Sequence, residues 1–600
     1  MNAAISAGGG AGIGHERSIT LATRTLFVLG LFGSIEAPAL GVKAGGMWVS
    51  AFEILLVLVA AAGSWAVIGL WRAGKFEGAG KSGGVARSER DALLETLRRP
   101  VTWALLLWGG VHVVSAAWSE GHALLSLKFG LRMSGGVFLA LLVMVLGRHE
   151  RPRKGLLAGI LGGLAVITVL AVLERAVGQP MEAVLTLFRD EPTWMLGEQR
   201  LSSVFYHANT FAAYLEMVIP ILVVLTCSNA IEGSDPRSRP HLGWLLWALL
   251  AGAMLSLTYS RAGLLAGVLT AMLLTVASLR GGLTLQAKTA ALFGVLLILA
   301  FGANPDMRAR LGVGERSYEV EYTFHGHCYG VAGTTVEVIV EVENKGSWPL
   351  SNRQAPGQLA WTLWDGGDRP DKKDFSFLAL PNIRAGQRVD IPLRIRLPDT
   401  PGRYTGLIDV RRKDVIWLSE LNNELGRFGC VARARGEPLL AADLTFTGHK
   451  GLKSVKTRRI ELSRKHYWQA AARLLTEKPL LGHGADRFRL EHGRLVPPGT
   501  WDSRARAHSI VVETAADLGI VGLAALGLLA GCLAAVVISN LLAAGRIEPL
   551  ILAASVAITA FALHSLVDYF LAYTKILALA WPLIGLACAR PATATNEAEA

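Results

Sequence analysis

The chain has 600 residues, 52% of them apolar and only 18% charged, and a net charge of +13. Soluble globular proteins carry about 25% charged residues, so this composition excludes a purely water-soluble protein and favours a membrane protein. Because no nucleic-acid-binding motif accompanies the positive charge, we predict that the protein binds no nucleic acid.

Apolar runs long enough to cross a bilayer, about 20 residues each, recur along the chain. They predict about twelve transmembrane helices, about nine of them within residues 1–303 and the others within 509–590. The predicted spans are 24–41, 48–70, 101–118, 129–147, 155–176, 207–226, 243–258, 262–279, 287–303, 515–540, 549–571 and 575–590. The two ends of the chain, 1–17 and 591–600, are predicted to be disordered.

Lysine and arginine are concentrated in the loops on one side of the predicted membrane. The 71–100 and 148–154 loops carry Arg72, Lys75, Lys81, Arg87, Arg90, Arg98, Arg99, Arg148, Arg151, Arg153 and Lys154. Short loops rich in these residues face the cytoplasm. We therefore predict that both termini are cytoplasmic and that the long polar interval, 304–508, lies outside.

Residues 316–436 form the first part of this interval and are typical of an all-β domain. Val336, Val338, Val340 and Val342 alternate with charged residues, which predicts a strand with one buried face. Residues 389–397 repeat this pattern, and further strands are predicted at 357–364, 374–380, 403–410 and 427–434. About seven short strands at this spacing favour an immunoglobulin-like sandwich.

Cys328 and Cys430 bracket this predicted domain. An external, oxidising compartment permits a disulfide between them. We predict that disulfide, and the alternative is two separate buried thiols.

Residues 450–508 have a different pattern, which predicts amphipathic helices and a glycine-rich turn. Basic residues and Trp468 share one helix, for which headgroup anchoring at the membrane surface is the simplest role. The sequence from Pro479 to Phe488 then supplies a turn that contains Gly482 and Gly484.

Four segments at the predicted outer surface carry residues suited to chemistry. These candidates are Arg200, Tyr206, His207 and Asn209 before one span, Ser260 and Arg261 in a tight turn, Arg487 after the glycine turn, and His508 and Glu513 at the start of another span. Arginine presents a fork of donors that matches phosphate oxygens. A histidine can take a proton from an attacking hydroxyl. We therefore predict that Arg200 and Arg261 bind a diphosphate and that His508 is a general base.

Simpler roles compete with these predictions. The arginines could reach lipid headgroups, Asn209 could cap its helix, and His207 could be structural. His564 and Asp568, four residues apart within a predicted span, fit either a buried pair or a proton relay. The Cys and His spacings fit no metal site and no nucleotide-binding loop is present, so we predict neither a metal nor a cofactor.

Taken together, these motifs resemble the O-antigen ligase and O-antigen polymerase family of membrane glycan transferases. The resemblance lies in 200–209, Ser260-Arg261, 468–488, and His508-Ser509 followed by Glu513, Gly519 and Gly522. It implies a helical GT-C-like fold in the inner membrane of a bacterium, with the large loop in the periplasm. It also implies an undecaprenyl-diphosphate-linked glycan donor, a lipid-linked or glycan acceptor, contact with membrane lipids, and metal-independent transfer.

By similarity, His508 would be the base, Arg200 and Arg261 would hold the diphosphate, and Arg487 would assist. The β-domain at 316–436 departs from the typical family pattern. The acceptor stays open between lipid A core, a growing chain and a protein. A protein O-oligosaccharyltransferase of the same fold, a transporter of lipid-linked glycans and a non-catalytic envelope scaffold are the competing functions.

Overall fold

The structure is a computed structural model in which parts of the chain are described. The described residues are 3–33, 35, 41–44, 47–77, 89–189, 194–195, 198–227, 241–303, 318–347, 349–351, 356–366, 374–412, 416–421, 425–438, 440–447, 464–496 and 502–590. The predicted tail at 591–600 lies outside them.

The chain divides into two compact units. The first contains Met1–Pro192, Leu201–Phe301 and Glu461–Ala600, and the second contains Thr193–Arg200 and Gly302–Ile460. The first unit is helical, and the second is built mainly from strands.

The predicted first span, 24–41, was wrong at its end, because the helix stops at Gly33 and a strand begins at Gly41. The helices of the first unit otherwise include the predicted apolar runs. They are α1 (Ala3–Gly33), α2 (Ala51–Glu77), α3 (Glu89–Arg98), α4 (Pro100–Val114), α5 (Ala123–Leu146), α6 (Glu150–Val177), α7 (Gln179–Leu185), α8 (Ala208–Cys227), α9 (Leu242–Leu257), α10 (Arg261–Arg280) and α11 (Thr284–Ala303). A short hairpin of β1 (Gly41–Ala44) and β2 (Met47–Ser50) precedes α2. After the second unit come α13 (Arg464–Glu477), α14 (Phe488–Glu491), α15 (Ile510–Leu542), α16 (Pro549–Ser565) and α17 (Thr574–Ala587).

Eight helices among the described residues are long and apolar enough to cross a membrane, and three shorter apolar helices accompany them. The prediction of disorder near the N-terminus was wrong for residues 3–17, which belong to α1. Helix-forming alanines, and continuity with a segment that packs against α6, outweigh the glycines there. At Gly30 an added Cβ would lie 2.7 Å from the Leu156 carbonyl oxygen, so α1 and α6 approach closely.

Helix α8 lies at the centre of the first unit. In the most apolar stretch of this helix, 94% of the residues are buried inside the protein. A helix that is apolar on all sides belongs in the middle of a bundle rather than at its surface. Glu216, on this helix, is therefore held deep within the helical unit with no exposed surface.

The strands of the second unit form two sheets. They are β3 (Trp194–Met195), β4 (Glu198–Gln199), β5 (Val320–His325), β6 (Cys328–Val331), β7 (Thr335–Asn344), β8 (Gly357–Trp364), β9 (Ser376–Ala379), β10 (Arg388–Arg396), β11 (Gly402–Arg412), β12 (Ile416–Trp417) and β13 (Gly426–Arg433), followed by a short helix, α12 (Ala441–Thr447). One sheet has the order β10-β7-β5, and the other has the order β6-β13-β11-β8-β9 with β12 beside β11. The separate β3–β4 pair completes the described strands.

The predicted alternation is what builds the core of this unit. Val338, Val340 and Val342 of β7 are buried, and Ile391 and Leu393 of β10 pack in the same cluster. Their charged neighbours point the other way, because successive side chains of a strand lie on opposite faces. The two sheets thus enclose the valine and isoleucine faces that the sequence predicts.

A disulfide joins Cys328 and Cys430, with their Cα atoms 4.6 Å apart. It links β6 to β13, which pair in parallel. The structure therefore has the cysteine pairing that the sequence analysis favoured over two separate thiols.

Candidate active site

The glycine-rich turn after α13 is fastened to the start of α15 by one buried carboxylate. Asp517 accepts hydrogen bonds from the backbone N–H groups of Asp486 (2.9 Å), Arg487 (3.1 Å) and Phe488 (2.6 Å). The N–H of Gly484 also donates to the Asp517 carbonyl oxygen at 2.7 Å. Buried backbone groups need such partners, so Asp517 fixes the shape of the turn.

Two glycines make this close approach possible. Gly482 has a φ of +65°, and an added Cβ would lie 2.4 Å from the Asp517 backbone. Gly519 has a φ of +61° and breaks α15, and an added Cβ there would lie 2.5 Å from the Leu480 carbonyl oxygen. Only glycine adopts such a conformation at no steric cost. The Gly-His-Gly turn and the later Leu-Gly pair are thus two halves of one contact.

Arg506 joins the turn to α15 through a buried ion pair. Its Nη1 donates to Asp486 (2.6 Å) and to Glu513 (3.1 Å). Burial alone would raise the pKa of Asp486, but Arg506 and Arg489 outweigh burial and hold this pKa below its ordinary value. Glu513 also accepts from the Ala507 N–H at 2.8 Å. These bonds fix the backbone on the N-terminal side of His508.

His508 lies at the end of this anchored segment, immediately before α15. Ser509 is the N-cap of the helix, which fixes the point where the helix begins. His508 has a φ of +53°, a left-handed conformation that is uncommon for a residue other than glycine. Its ring lies 5.7 Å from the Tyr467 ring, and 37% of its side chain is exposed. The imidazole is therefore held and accessible.

Asp568, in the loop between α16 and α17, is the partner of His508. The His508 Nδ1 lies 3.2 Å from the Asp568 Oδ1. The second carboxylate oxygen of Asp568 accepts from the Asn209 side chain at 2.8 Å. Burial would raise the pKa of Asp568, but its polar contacts, including the hydrogen bonds to His508 and Asn209, outweigh burial and hold this pKa below its ordinary value.

Two alternatives from the sequence were wrong. Asn209 does not cap its helix, which begins at Ala208, and instead bonds Asp568. His564 does not form a side-chain pair with Asp568. Its Nδ1 lies 2.8 Å from Glu216 on α8, because the intervening chain leaves the helix at Ser565 and carries Asp568 towards His508.

The segment that carries Tyr206, His207 and Asn209 is fixed by a buried charge network. Glu174 accepts from the Ser203 N–H at 2.6 Å and from Arg189 at 3.1 Å. The Leu201 N–H donates to the Leu257 carbonyl oxygen at 3.0 Å, at the end of α9. This bond brings the segment to the Thr258–Arg261 turn.

Tyr206 and His207 form an aromatic group with Tyr573. The Tyr206 and His207 rings are 4.4 Å apart, and each lies about 6 Å from Tyr573, at 6.0 and 6.1 Å. The Tyr206 hydroxyl accepts from Arg504 at 3.4 Å. His207 is exposed, so these rings offer a polar, aromatic surface close to the His508 loop.

Arg261 begins α10, where Ser260 is the N-cap and accepts from the Gly263 N–H at 3.1 Å. The Arg261 side chain is exposed. Gly263 packs against α8, since an added Cβ would lie 3.1 Å from the Glu216 carboxylate. Because Glu216 bonds His564, four residues before Asp568, the N-terminus of α10 and the His508 partner are linked by one short chain of contacts.

Two predicted arginines are buried. Arg200 is the last residue of Thr193–Arg200, a segment that belongs to the second unit. That Arg200 lies near His508 therefore stays a prediction. Arg487 pairs with Glu491, and its Nε and Nη1 form no hydrogen bond with the described residues.

The first unit also contains a cavity of about 460 Å³. Its lining includes Tyr206, Arg504, Arg506 and Tyr573, which connect it to the residues around His508. Further charged side chains line its other wall.

Within the described parts of the chain, one group has donor atoms close enough to hold a metal ion. His325, Glu341 and Asp390 belong to the second unit, and their donor atoms lie within 4.8 Å of one another. They are partly exposed, and Arg388 lies 4.0 Å from Glu341. The arrangement gives no reason to assign an ion.

Sequence reasoning missed several residues of the site. Asp568 was assigned to His564, while Asp486, Asp517 and Glu216 were not considered as site residues. The aspartate after the Gly-x-Gly turn, Asp486, was one local signal, because aspartate is common at turns. Glu216 within an apolar span was a second signal, since buried charges in a membrane need partners.

The apolar helices and the polar cluster at their ends indicate a multi-pass membrane protein. Residues 439–527 match the family described as O-antigen ligase, which confirms the resemblance found in the sequence. The match includes His508, Glu513 and the glycine turn but stops short of the segments of Arg200 and Arg261. It supports an O-antigen ligase-like, glycan-processing function in a membrane.

No curated protein sequence matches this chain. One solved structure, an alkylpurine DNA glycosylase of Pseudomonas fluorescens bound to DNA containing an abasic site analog, is 12% identical and covers 56% of this chain and 97% of that chain. Its TM-score is 0.13, so this likeness carries no argument about fold or function.

Proposed function

We propose that the protein is a glycosyltransferase that moves an undecaprenyl-diphosphate-linked glycan to an acceptor hydroxyl. The observation that carries the proposal is the pairing of His508 with Asp568 at the ends of the apolar helices. His508, but not Asp568, lies within the segment that matches O-antigen ligases. In this proposal the fold is GT-C-like with about twelve spans, and the β-domain is immunoglobulin-like. The site lies on the periplasmic side of the inner membrane of a bacterium, and both termini lie in the cytoplasm.

The two ring nitrogens of His508 have different roles in the proposed step. The ionised Asp568 accepts a hydrogen bond, so His508 carries its proton on Nδ1 and leaves Nε2 free to accept. Nε2 takes the proton of the acceptor hydroxyl as its oxygen bonds to the anomeric carbon of the donor sugar. The bond from that carbon to the diphosphate oxygen breaks, and the electron pair leaves with the diphosphate. The reaction balances with no metal.

Arg261 and Arg200 are the proposed ligands of the leaving diphosphate. A guanidinium stays charged at any physiological pH and matches two phosphate oxygens at once. Cations placed where negative charge develops stabilise the transition state. Exposure of Arg261 at the tip of α10 supports this role, while Arg487, which pairs with Glu491, is better suited to holding the turn.

Glu513, Ser260 and Asn209 are proposed to act through other residues. Glu513 fixes the backbone before His508, Ser260 begins the helix of Arg261, and Asn209 orients Asp568. Tyr206 and His207 are proposed to bind substrate, as contacts to the sugar.

A transfer assay on the purified full-length protein tests the proposal. Synthetic undecaprenyl-diphosphate glycan is offered with a lipid-linked sugar, a free glycan or a hydroxyl-bearing peptide as acceptor. Release of undecaprenyl diphosphate together with a new glycosidic bond is the expected result. Transfer to the peptide alone would identify a protein O-oligosaccharyltransferase. Movement of donor across a vesicle membrane, with no bond formed, would identify a transporter and overturn the proposal.

A further inference from the structure

Three charged side chains lie on the wall of the cavity that α2 and α5 form. Lys128 and Arg132 are four residues apart on α5, so they share one face of that helix. Both point to Glu53 near the start of α2, with Nζ 3.9 Å and Nη2 3.1 Å from its carboxylate oxygens. Their side chains are 28%, 23% and 20% exposed.

The position of these cations in the bundle is unusual. Helix α5 is one of the helices long and apolar enough to cross a membrane. Arg132 lies nine residues beyond its first residue, Ala123, which is about 13 Å along the helix axis. Ionisable groups at such a depth are costly, and they mark substrate or ion sites by default.

Glu53 is already engaged at the helix start. Its carboxylate accepts from the Ser50 N–H at 2.9 Å, while the Glu53 N–H donates to the Ser50 hydroxyl at 3.2 Å. This reciprocal pair is a capping box. The Nε of Arg132 is buried with no hydrogen-bond partner among the described residues.

The rest of the cavity has the same sign of charge. Among the described residues, six cations line it, Lys128, Arg132, Arg489, Arg504, Arg506 and Lys575, against two carboxylates, Glu53 and Asp486. Asp502 and Glu513 pair with lining arginines from outside the lining. Some of the lining cations are therefore already paired with carboxylates. A lining in which cations outnumber carboxylates suits an anionic ligand.

Aromatic side chains also line the cavity. They are Phe129, Phe188, Phe205, Tyr206 and Tyr573. An aromatic face packs well against the apolar C–H face of a sugar ring, and a tyrosine adds a polar edge. The lining therefore combines groups for a phosphoryl anion with groups for the sugar that bears it.

We propose that this cavity is a phosphoryl-sugar site, in which Lys128 and Arg132 bind the phosphate or diphosphate of a glycan substrate. The ligand rests on the proposed function, but these two residues are additional to Arg200 and Arg261. The same chemistry is offered by two sources, the diphosphate of the lipid-linked donor and a phosphate on the acceptor glycan. On binding, the anion replaces Glu53 as the partner of both cations.

Equilibrium binding to the purified full-length protein tests this site without turnover. The probes are undecaprenyl diphosphate and glucose 1-phosphate, each added with no second substrate. Lys128→Gln is expected to weaken one or both by about tenfold or more. Lys478→Gln is the matched control, because Lys478 also pairs with one glutamate, Glu120, and is similarly exposed at 34%.

The two probes separate the sources. Weaker binding of undecaprenyl diphosphate alone assigns the site to the donor, and weaker binding of glucose 1-phosphate, alone or with the other, assigns it to a phosphorylated sugar. Binding equal to that of Lys478→Gln for both probes, or no binding of either probe to the unmodified protein, overturns the inference. If the protein binds the probes but transfers no glycan, the proposed function is wrong and the binding site still stands.

A second measurement covers the possibility that Lys128→Gln misfolds. An amine-acylating reagent is applied to the unmodified protein, and modification of Lys128 and Lys478 is read by peptide mass spectrometry. Saturating undecaprenyl diphosphate or glucose 1-phosphate is expected to slow acylation of Lys128 at least about fivefold and to leave Lys478 unchanged. Equal rates at Lys128 with and without both probes would overturn the inference.

Discussion

At the scale of single residues, the site depends on how His508 is held. Its Nδ1 faces Asp568, the backbone before it is fixed by Glu513, and its own conformation is left-handed. Such strain persists where surrounding contacts over-determine the geometry, which is common at functional sites. Asp568 follows α16 and Glu513 belongs to α15, so two elements meet at His508.

Asp568→Asn should lower kcat by about 100-fold and change KM for the donor by less than about twofold. The amide can no longer accept as a carboxylate does, so His508 loses the partner that selects its tautomer, while the donor-binding arginines are untouched. Steady-state kinetics on the purified protein measure both constants. A kcat equal to that of the unmodified protein would remove Asp568 from the positioning of His508.

Arg261→Ala should reduce kcat/KM by at least about 100-fold, with normal membrane insertion, because the diphosphate loses a cation where charge develops. Arg280→Ala is the control, since Arg280 ends the same helix. The assay is release of undecaprenyl diphosphate. Retained turnover in Arg261→Ala would reduce Arg261 to a headgroup contact.

At the scale of elements, the central contact joins the glycine turn to the start of α15. Asp517 satisfies three successive N–H groups of the turn, and the break at Gly519 allows the helix to approach. This contact fixes the backbone that carries Asp486, to which Arg506 donates. The turn therefore supports the position of His508 although it lies some twenty residues earlier in the chain.

Gly484→Ala should destabilise the helical unit by about 2–3 kcal/mol. Gly484 has a φ of +105°, and its new Cβ would lie 2.6 Å from the Ser119 Cβ. Gly527→Ala is the control, because a Cβ there meets nothing within 4 Å and alanine favours a helix. Thermal unfolding in detergent measures both variants, and equal melting temperatures would contradict the packing described for the turn.

The elements themselves were more predictable than the site. Long apolar runs and alternating valines have periods that local sequence reveals, so the span of α8 and the strand of β7 were predicted close to their observed limits. The partner of His508 was not, since Asp568 is 60 residues away and follows a different helix. The His564–Asp568 spacing suggested a local pair, but the helix ends between the two residues.

The surroundings of Lys128 and Arg132 were also not predictable from local sequence. Their four-residue spacing places them on one face of α5, but the sequence does not say which neighbour that face meets. The contact with Glu53 joins residues 79 positions apart. Tertiary packing, rather than local pattern, decides whether such charges form a site or lie at a membrane surface.

At the scale of the whole molecule, the chain combines a helical membrane unit with a β-unit inserted into it. The inserted unit has its own buried core and its own disulfide. An independent core predicts independent stability. The helical unit should therefore keep its transfer activity when the β-unit is weakened.

Replacing Cys328 and Cys430 together by serine should lower the stability of the β-unit by about 2–4 kcal/mol. The bridge closes a loop with a sequence separation of 102 residues, and its loss frees the unfolded chain. Calorimetry of the full-length protein should show one transition moving to lower temperature and another unchanged. A shift of every transition by the same amount would contradict independent units.

The most direct test of the account is the rate at which undecaprenyl diphosphate is released from a synthetic glycan donor with saturating acceptor. His508→Ala should lower this rate by at least about 100-fold, as expected for loss of a general base. His466→Ala, at an exposed position on α13, should leave it unchanged. Equal rates for the unmodified protein and His508→Ala would show that this histidine does not activate the acceptor and would contradict the proposed mechanism.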